Sequence, residues 1–150
     1  MPQTSDCTAP PSPLARFADF FATLAPQSLE QLDRVYSADV RFRDPFNDVQ
    51  GLAAVRRIFA HMYATTEQPR FEILHAVGDS RQGFLSWDFR FRTRGRRPRS
   101  WCIHGATRVE FDADGRVSLH RDYWDPAEEL YAKLPLLGGL MRALQRSLRA

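Results

Sequence analysis

The chain has 150 residues, 43% of them hydrophobic and 11 of them phenylalanine, which suits one packed domain and excludes a disordered chain. A net charge of +3 with pI near 9.2 is too mild a basic balance to argue for nucleic acid, so none is expected as a partner. Cys7 and Cys102, the two cysteines, stand far apart and no metal-type Cys/His spacing occurs, so neither a disulfide nor a metal or other cofactor is expected.

Residues 1–13 are polar and proline-rich, which predicts a flexible tail. They hold no basic start followed by an apolar run, and no stretch is long and apolar enough to span a bilayer. The expectation is a cytoplasmic protein without membrane contact. Leu14, Phe17, Ala18, Phe21, Leu24 and Ala25 then recur at helical spacing. Pro26 breaks that pattern. Ser28 with Gln31 fits a capping box that starts a second short helix carrying Leu29, Leu32, Val35 and Tyr36.

At Asp39 the period changes to two. Val40, Phe42 and Asp44 alternate with Arg41 and Arg43 as on a strand, and Asp44-Pro45-Phe46-Asn47-Asp48 has turn chemistry. Leu52, Val55, Ile58, Phe59 and Met62 form the stripe of a third helix. Strands are predicted over 71–77, 84–92, 101–111 and 117–124, with Asp112-Ala113-Asp114-Gly115 as a hairpin turn. Asp125-Pro126-Ala127-Glu128 is a helix start, and an amphipathic basic helix is predicted over 136–149. The division is therefore a tail over 1–13, a domain over 14–125 and a helical extension over 126–150. Helices followed by a run of strands argue an α+β fold, with helices on one face of a mostly antiparallel sheet.

Asp44 falls two and four residues after Phe42 and Val40, so strand parity points it into the apolar interior. A carboxylate there is a proton acceptor; the competing reading is an Asx turn before Pro45. Ser118, His120, Asp122 and Trp124 share one face of the last strand. Asp122 then either divides acid and base roles with Asp44, or is a strand charge paired across the sheet. Leu85, Trp87, Phe89 and Phe91 form an apolar stripe that lines a ligand cavity or fills the core. His75 shares a parity with Phe71, Ile73 and Val77 and reads as hydrogen-bonded filler; His104 should face away from any pocket. Arg90, Arg92, Arg94, Arg96, Arg97 and Arg99 read as a solvated hairpin or as an anion patch.

The run Val35-Tyr36-Ser37-Ala38-Asp39-Val40-Arg41-Phe42-Arg43-Asp44-Pro45-Phe46 resembles the first strand of bacterial ketosteroid isomerases. The likeness continues through Gly51 and Phe59, through Phe111-Asp112-Ala113-Asp114-Gly115-Arg116, and to Tyr123-Trp124. It implies a cone-shaped barrel, a general-base role for Asp44, a pocket-lining Trp124 and a homodimer through the outer sheet face. It also departs from that family. Phe20 stands where the oxyanion-binding tyrosine belongs, Thr107 where the protonated aspartic acid belongs, and Phe59 replaces a supporting tyrosine, leaving Tyr36. Steroid isomerisation without those donors loses its largest electrostatic contribution. The chain is more similar to the SnoaL-like branch of the nuclear transport factor 2-like superfamily, which holds cyclases, dehydratases, hydrolases and non-catalytic members.

The expected site is therefore catalytic Asp44 and Asp122, with Phe20, Tyr36, Phe59, Trp87, Phe89, Thr107, His120 and Trp124 around the ligand. The expected function is isomerase-, cyclase- or dehydratase-like chemistry on a small apolar ring compound. The alternative is a non-catalytic domain that binds an apolar small molecule or a protein partner.

Overall fold

The computed structural model describes residues 10–133 and the isolated positions Gly139, Arg142, Arg146 and Ser147. The expected tail over 1–13 and the expected helix over 136–149 fall largely outside the described residues. Helix α1 (Pro13–Ala22) starts where Ser12 Oγ accepts the Ala15 N–H at 3.1 Å, with proline in the first turn, where no N–H is needed. It buries Leu14, Phe17 and Phe21. A 3-10 helix (Pro26–Arg34) follows and buries Leu29 and Leu32. It starts before the expected cap: Ser28 lies inside it, and its hydroxyl accepts the Ala25 N–H at 3.1 Å. Helix α2 (Leu52–Thr65) begins at Gly51, whose φ of 93° is a conformation that glycine adopts without strain, and it buries Val55 and Phe59.

Six strands form one sheet: β1 (Tyr36–Arg43), β2 (Asp48–Gln50), β3 (Thr66–Gly78), β4 (Gln82–Thr93), β5 (Ser100–Phe111) and β6 (Val117–Tyr123). Their order is β2-β1-β6-β5-β4-β3, and every pairing is antiparallel except β1 with β6. The sheet ends in two free edges, β2 and β3, so it is an open α+β cone and not a closed barrel. Val40, Phe42, Leu85, Trp87, Ile103, Val109, Phe111 and Val117 fill its inner face against the helices. Burying each such side chain contributes about 1.5–3 kcal/mol, which locks helices and sheet together.

Two irregularities correct the strand reading. Tyr36 belongs to β1, not to the helix before it, and the β1–β6 register shifts between Tyr36 and Arg41. Alternation breaks at that bulge: the adjacent Tyr36 and Ser37 are both buried, and Ala38 and Asp39 are both exposed. In β3 the register shifts between Ile73 and His75, so parity fails there. His75 is exposed, not filler on the apolar face, and Val77 is 70% exposed. After β6, Asp125 caps α3 (Pro126–Glu129) as expected, its Oδ1 accepting the Ala127 N–H at 2.8 Å. A 3-10 turn (Tyr131–Lys133) follows. No helix of the described residues is long and apolar enough to cross a membrane.

Candidate active site

Strand β6 lies between β1 and β5, so its inward side chains reach the middle of the concave face. His120 and Asp122 are two residues apart and share that direction. The register sets Thr107 of β5 beside Asp122, and Phe42 of β1 beside His120. Their polar atoms meet. His120 Nε2 lies 2.8 Å from Asp122 Oδ1, and the Thr107 hydroxyl donates to the same oxygen at 2.5 Å. The Tyr36 hydroxyl lies 2.7 Å from His120 Nδ1, and the Trp87 indole N–H donates to Thr107 Oγ1 at 2.7 Å.

The direction of every proton in this chain follows from what each group can donate. Trp87 can only donate, so Thr107 accepts from it and passes its own proton to Asp122. The carboxylate can only accept, so His120 carries its proton on Nε2. In the neutral ring Nδ1 then accepts from Tyr36. Burial holds the Tyr36 phenol well above its ordinary value, with the Asp122 charge adding to the effect, so Tyr36 keeps the proton it donates. Thr107 and His120 both donate to Oδ1, each backed by a further donor. Among the described residues, no hydrogen bond reaches Oδ2.

The surroundings are tight. The His120 side chain is 2% exposed and Asp122 17%. Rings of Phe42, Phe17 and Phe21 lie 4.7, 5.4 and 5.6 Å from the imidazole, and Tyr36 stacks at 5.9 Å. Gly105 sets the position of Trp87. A Cβ there would fall 2.3–2.8 Å from three atoms of the indole ring, so only glycine lets the ring lie against β5 and reach Thr107.

Two spaces meet at Asp122. Inside, a cavity of about 10 Å³ is lined by Phe17, Phe21, Phe71, Leu85, Trp87 and His120 among others, with room for about one water. The expected ligand cavity under the sheet is thus filled by side chains. Outside, an open cleft of about 630 Å³ runs along the end of the sheet between Arg43, Asp44, Pro45, Arg121, Asp122, Tyr123 and Trp124.

The sequence-derived site residues therefore divide. Tyr36, Trp87, Thr107, His120 and Asp122 form one polar network. Asp44 does not join it. Strand β1 ends at Arg43, one residue short of where parity would aim the carboxylate inward. Asp44 Oδ1 accepts the N–H groups of Phe46 and Asn47, each at 2.7 Å, and the Asn47 side-chain amide reaches both carboxylate oxygens at 3.0 and 2.9 Å. This is the Asx turn, on the wall of the outer cleft. Trp124 lines the same cleft and packs edge-on against Phe46 at 5.4 Å. Phe59 is core, against Phe21 and Phe42. Phe89 stacks on Phe71 at 4.6 Å. Phe20 lines a separate surface depression of about 320 Å³ beside the 3-10 helix; its neighbour Phe21 is the one that reaches His120. The apolar stripe of α1 already contained Phe21, and that spacing was the available signal. Leu85 lines the inner cavity, as its place in the β4 stripe suggested; Phe17 and Phe71 were missed as neighbours of the site.

The model of the SnoaL-like domain matches residues 17–120. The chain belongs to the SnoaL-like domain family. The match stops at His120, so Asp122 stands just beyond it. Solved structures share the SnoaL-like fold at low identity. A Catenulispora acidiphila protein with a ketosteroid isomerase-like fold, in complex with trimethylamine, is 17% identical at a TM-score of 0.65, over 85% of this chain and 96% of that one. A protein described as a SnoaL-like polyketide cyclase, from Shewanella putrefaciens, is 16% identical at a TM-score of 0.67, over 81% and 98%. An M. tuberculosis LEH-like epoxide hydrolase is 18% identical at a TM-score of 0.61, over 89% and 92%. No curated protein matches the sequence.

Proposed function

We propose that this SnoaL-like chain is a proton-transfer enzyme of the isomerase, cyclase or dehydratase kind, acting on a small carbonyl-bearing ring compound in the outer cleft. Asp122 is the catalytic carboxylate. The observation that carries this reading is the convergence of Thr107 and His120 on Oδ1, which fixes the carboxylate and leaves Oδ2 to meet a substrate proton. His120 and Tyr36 are buried beyond a substrate's reach and act as positioning residues. Trp124, Tyr123 and Pro45 supply apolar walls for a ring. Arg43 and Arg121 on the same cleft offer positive charge to an oxygen that becomes anionic as an adjacent carbon loses its proton. Asp44 is the second carboxylate of the cleft, in reach of a proton returned at another atom. Similarity in fold to proteins described as polyketide cyclases supports the reaction class without naming a substrate.

One observation favours a second reading, a non-catalytic binding domain: the enclosed cavity is only about 10 Å³, whereas a drug-sized ligand pocket occupies roughly 300–1,000 Å³.

Deuterium exchange separates the two. The protein is incubated in D2O with a panel of cyclic ketones, and label at the carbon next to the carbonyl is read by mass spectrometry. Turnover by the wild-type chain, cut about 100-fold or more in Asp122→Asn, supports the enzyme. Ketone binding without label in any member of the panel supports the binding domain.

A further inference from the structure

The outer face of the sheet carries a second cluster that the SnoaL-like chemistry does not use. Cys102 and His104 are two residues apart on β5 and point away from the core. The antiparallel register places Asp88 of β4 opposite His104, and Arg90 opposite Cys102. One ligand atom each from Asp88, Cys102 and His104 lies within 4.8 Å of the others. His104 Nδ1 is 2.6 Å from Asp88 Oδ1.

We propose that Asp88, Cys102 and His104 form a binding site for a divalent transition-metal cation, zinc foremost. A thiolate, an imidazole and a carboxylate are the donor types zinc takes, and a set containing sulfur disfavours magnesium and calcium. Three protein ligands leave a fourth position, on the solvent side where the His104 side chain is 67% exposed, which also gives the ion an entry path.

The imidazole–carboxylate contact needs little adjustment. Bond lengths of about 2.0–2.2 Å to nitrogen and oxygen in a tetrahedron put those two atoms roughly 3.3 Å apart, so the present 2.6 Å contact opens by under an ångström. The exposed imidazole supplies that movement, while the two strands hold Asp88 and Cys102.

The supporting contacts are in place as well. Arg90 donates to Asp88 Oδ2 at 3.1 Å, which leaves Oδ1 for the ion. Glu72 holds Arg90 at 2.9 Å and balances its charge. A ligating carboxylate gripped through its other oxygen is the usual outer shell of a metal site. The Asp88 side chain is 10% exposed although it lies on the outer face, so its burial comes with this network.

The sequence hides this site. Cys102 and His104 lack any finger-type spacing, and the third ligand lies on the neighbouring strand.

Cobalt substitution tests it. The full chain, stripped with a chelator, is titrated with Co²⁺ and followed by absorption spectroscopy. The expected result is one equivalent bound, with a thiolate-to-cobalt charge-transfer band that Zn²⁺ displaces. Cys102→Ser abolishes the band, Cys7→Ser leaves it, and His104→Gln weakens binding about 10-fold or more. Asp88→Asn weakens it likewise; because Asp88 is largely buried, His104→Gln, at an exposed position, decides the matter if that variant misfolds. Absence of the band in the wild-type chain, its loss in Cys7→Ser, or its survival unchanged in Cys102→Ser or His104→Gln overturns the proposal.

Discussion

His120 and Asp122, two residues apart on β6, face each other across 2.8 Å between Nε2 and Oδ1, in a part of the core where the imidazole is 2% exposed. One oxygen of Asp122 therefore organises groups from four strands, its own β6 included. Tyr36 reaches it from β1 through His120, and Trp87 reaches it from β4 through Thr107 of β5.

Truncating that acceptor strands two buried donors at once. Asp122→Ala leaves the Thr107 O–H and the His120 N–H without a partner, at a cost of about 2–5 kcal/mol. Asp122→Asn keeps an acceptor oxygen but not its charge, and should cost about 1–2 kcal/mol. Urea unfolding at neutral pH checks both. Equal stability in the two variants would mean that Oδ1 is not the common acceptor.

The buried phenol of Tyr36 makes a pH prediction with a defined sign. Burial raises its folded-state pKa above the unfolded value of about 10. Below about pH 10 both states hold the proton and the contribution is intact. Above it the unfolded state releases the proton first, so stability falls by up to about 1.4 kcal/mol per pH unit. Tyr36→Phe should be about 1 kcal/mol less stable at neutral pH, because His120 Nδ1 loses its donor, yet show a flatter decline in alkali. Urea midpoints of both proteins between about pH 9 and 11 give the comparison. Parallel curves would contradict it.

Much of this arrangement was legible in the sequence, and its failures have physical causes. The stripe of Leu52, Val55, Phe59 and Met62 marked α2, and alternation on β1 turned Val40 and Phe42 inward. Alternation failed at Asp44 because the turn took the carboxylate: an aspartate before proline satisfies its oxygens locally more readily than in a core. At His75 it failed because a bulge adds a residue without any mark in the residue types. Parity placed His120 and Asp122 together. The Tyr36–His120 bond stayed hidden, since it depends on parallel pairing of β1 and β6 across 84 residues.

Gly105 offers a test of how Trp87 is held. In an ordinary strand, glycine to alanine stabilises by about 0.5–1 kcal/mol. Here the added methyl would meet the indole ring at 2.3–2.8 Å, so the sign reverses. Gly105→Ala should destabilise by about 1–3 kcal/mol and change the tryptophan fluorescence as the ring leaves Thr107. Tm and emission spectra report on each, and a raised Tm would show that the ring does not rest there.

Asp44 carries two possible roles that one pair of variants separates. Asp44→Ala removes the turn acceptor and should cost about 1 kcal/mol. Asp44→Asn keeps an acceptor for the Phe46 and Asn47 N–H groups, so stability should stay within about 0.5 kcal/mol of wild type. In the ketone-exchange assay Asp44→Asn should then retain more activity than Asp122→Asn. The opposite order would move the catalytic carboxylate to Asp44.

The proton position on His120 tests the network most directly. Long-range ¹H–¹⁵N correlation of the imidazole distinguishes its two nitrogens. The wild-type ring should carry its proton on Nε2, toward Asp122, and accept at Nδ1 from Tyr36. A neutral ring with the proton on Nδ1 would break the chain of donors that ends at Asp122, and with it the case for that carboxylate as the reacting group.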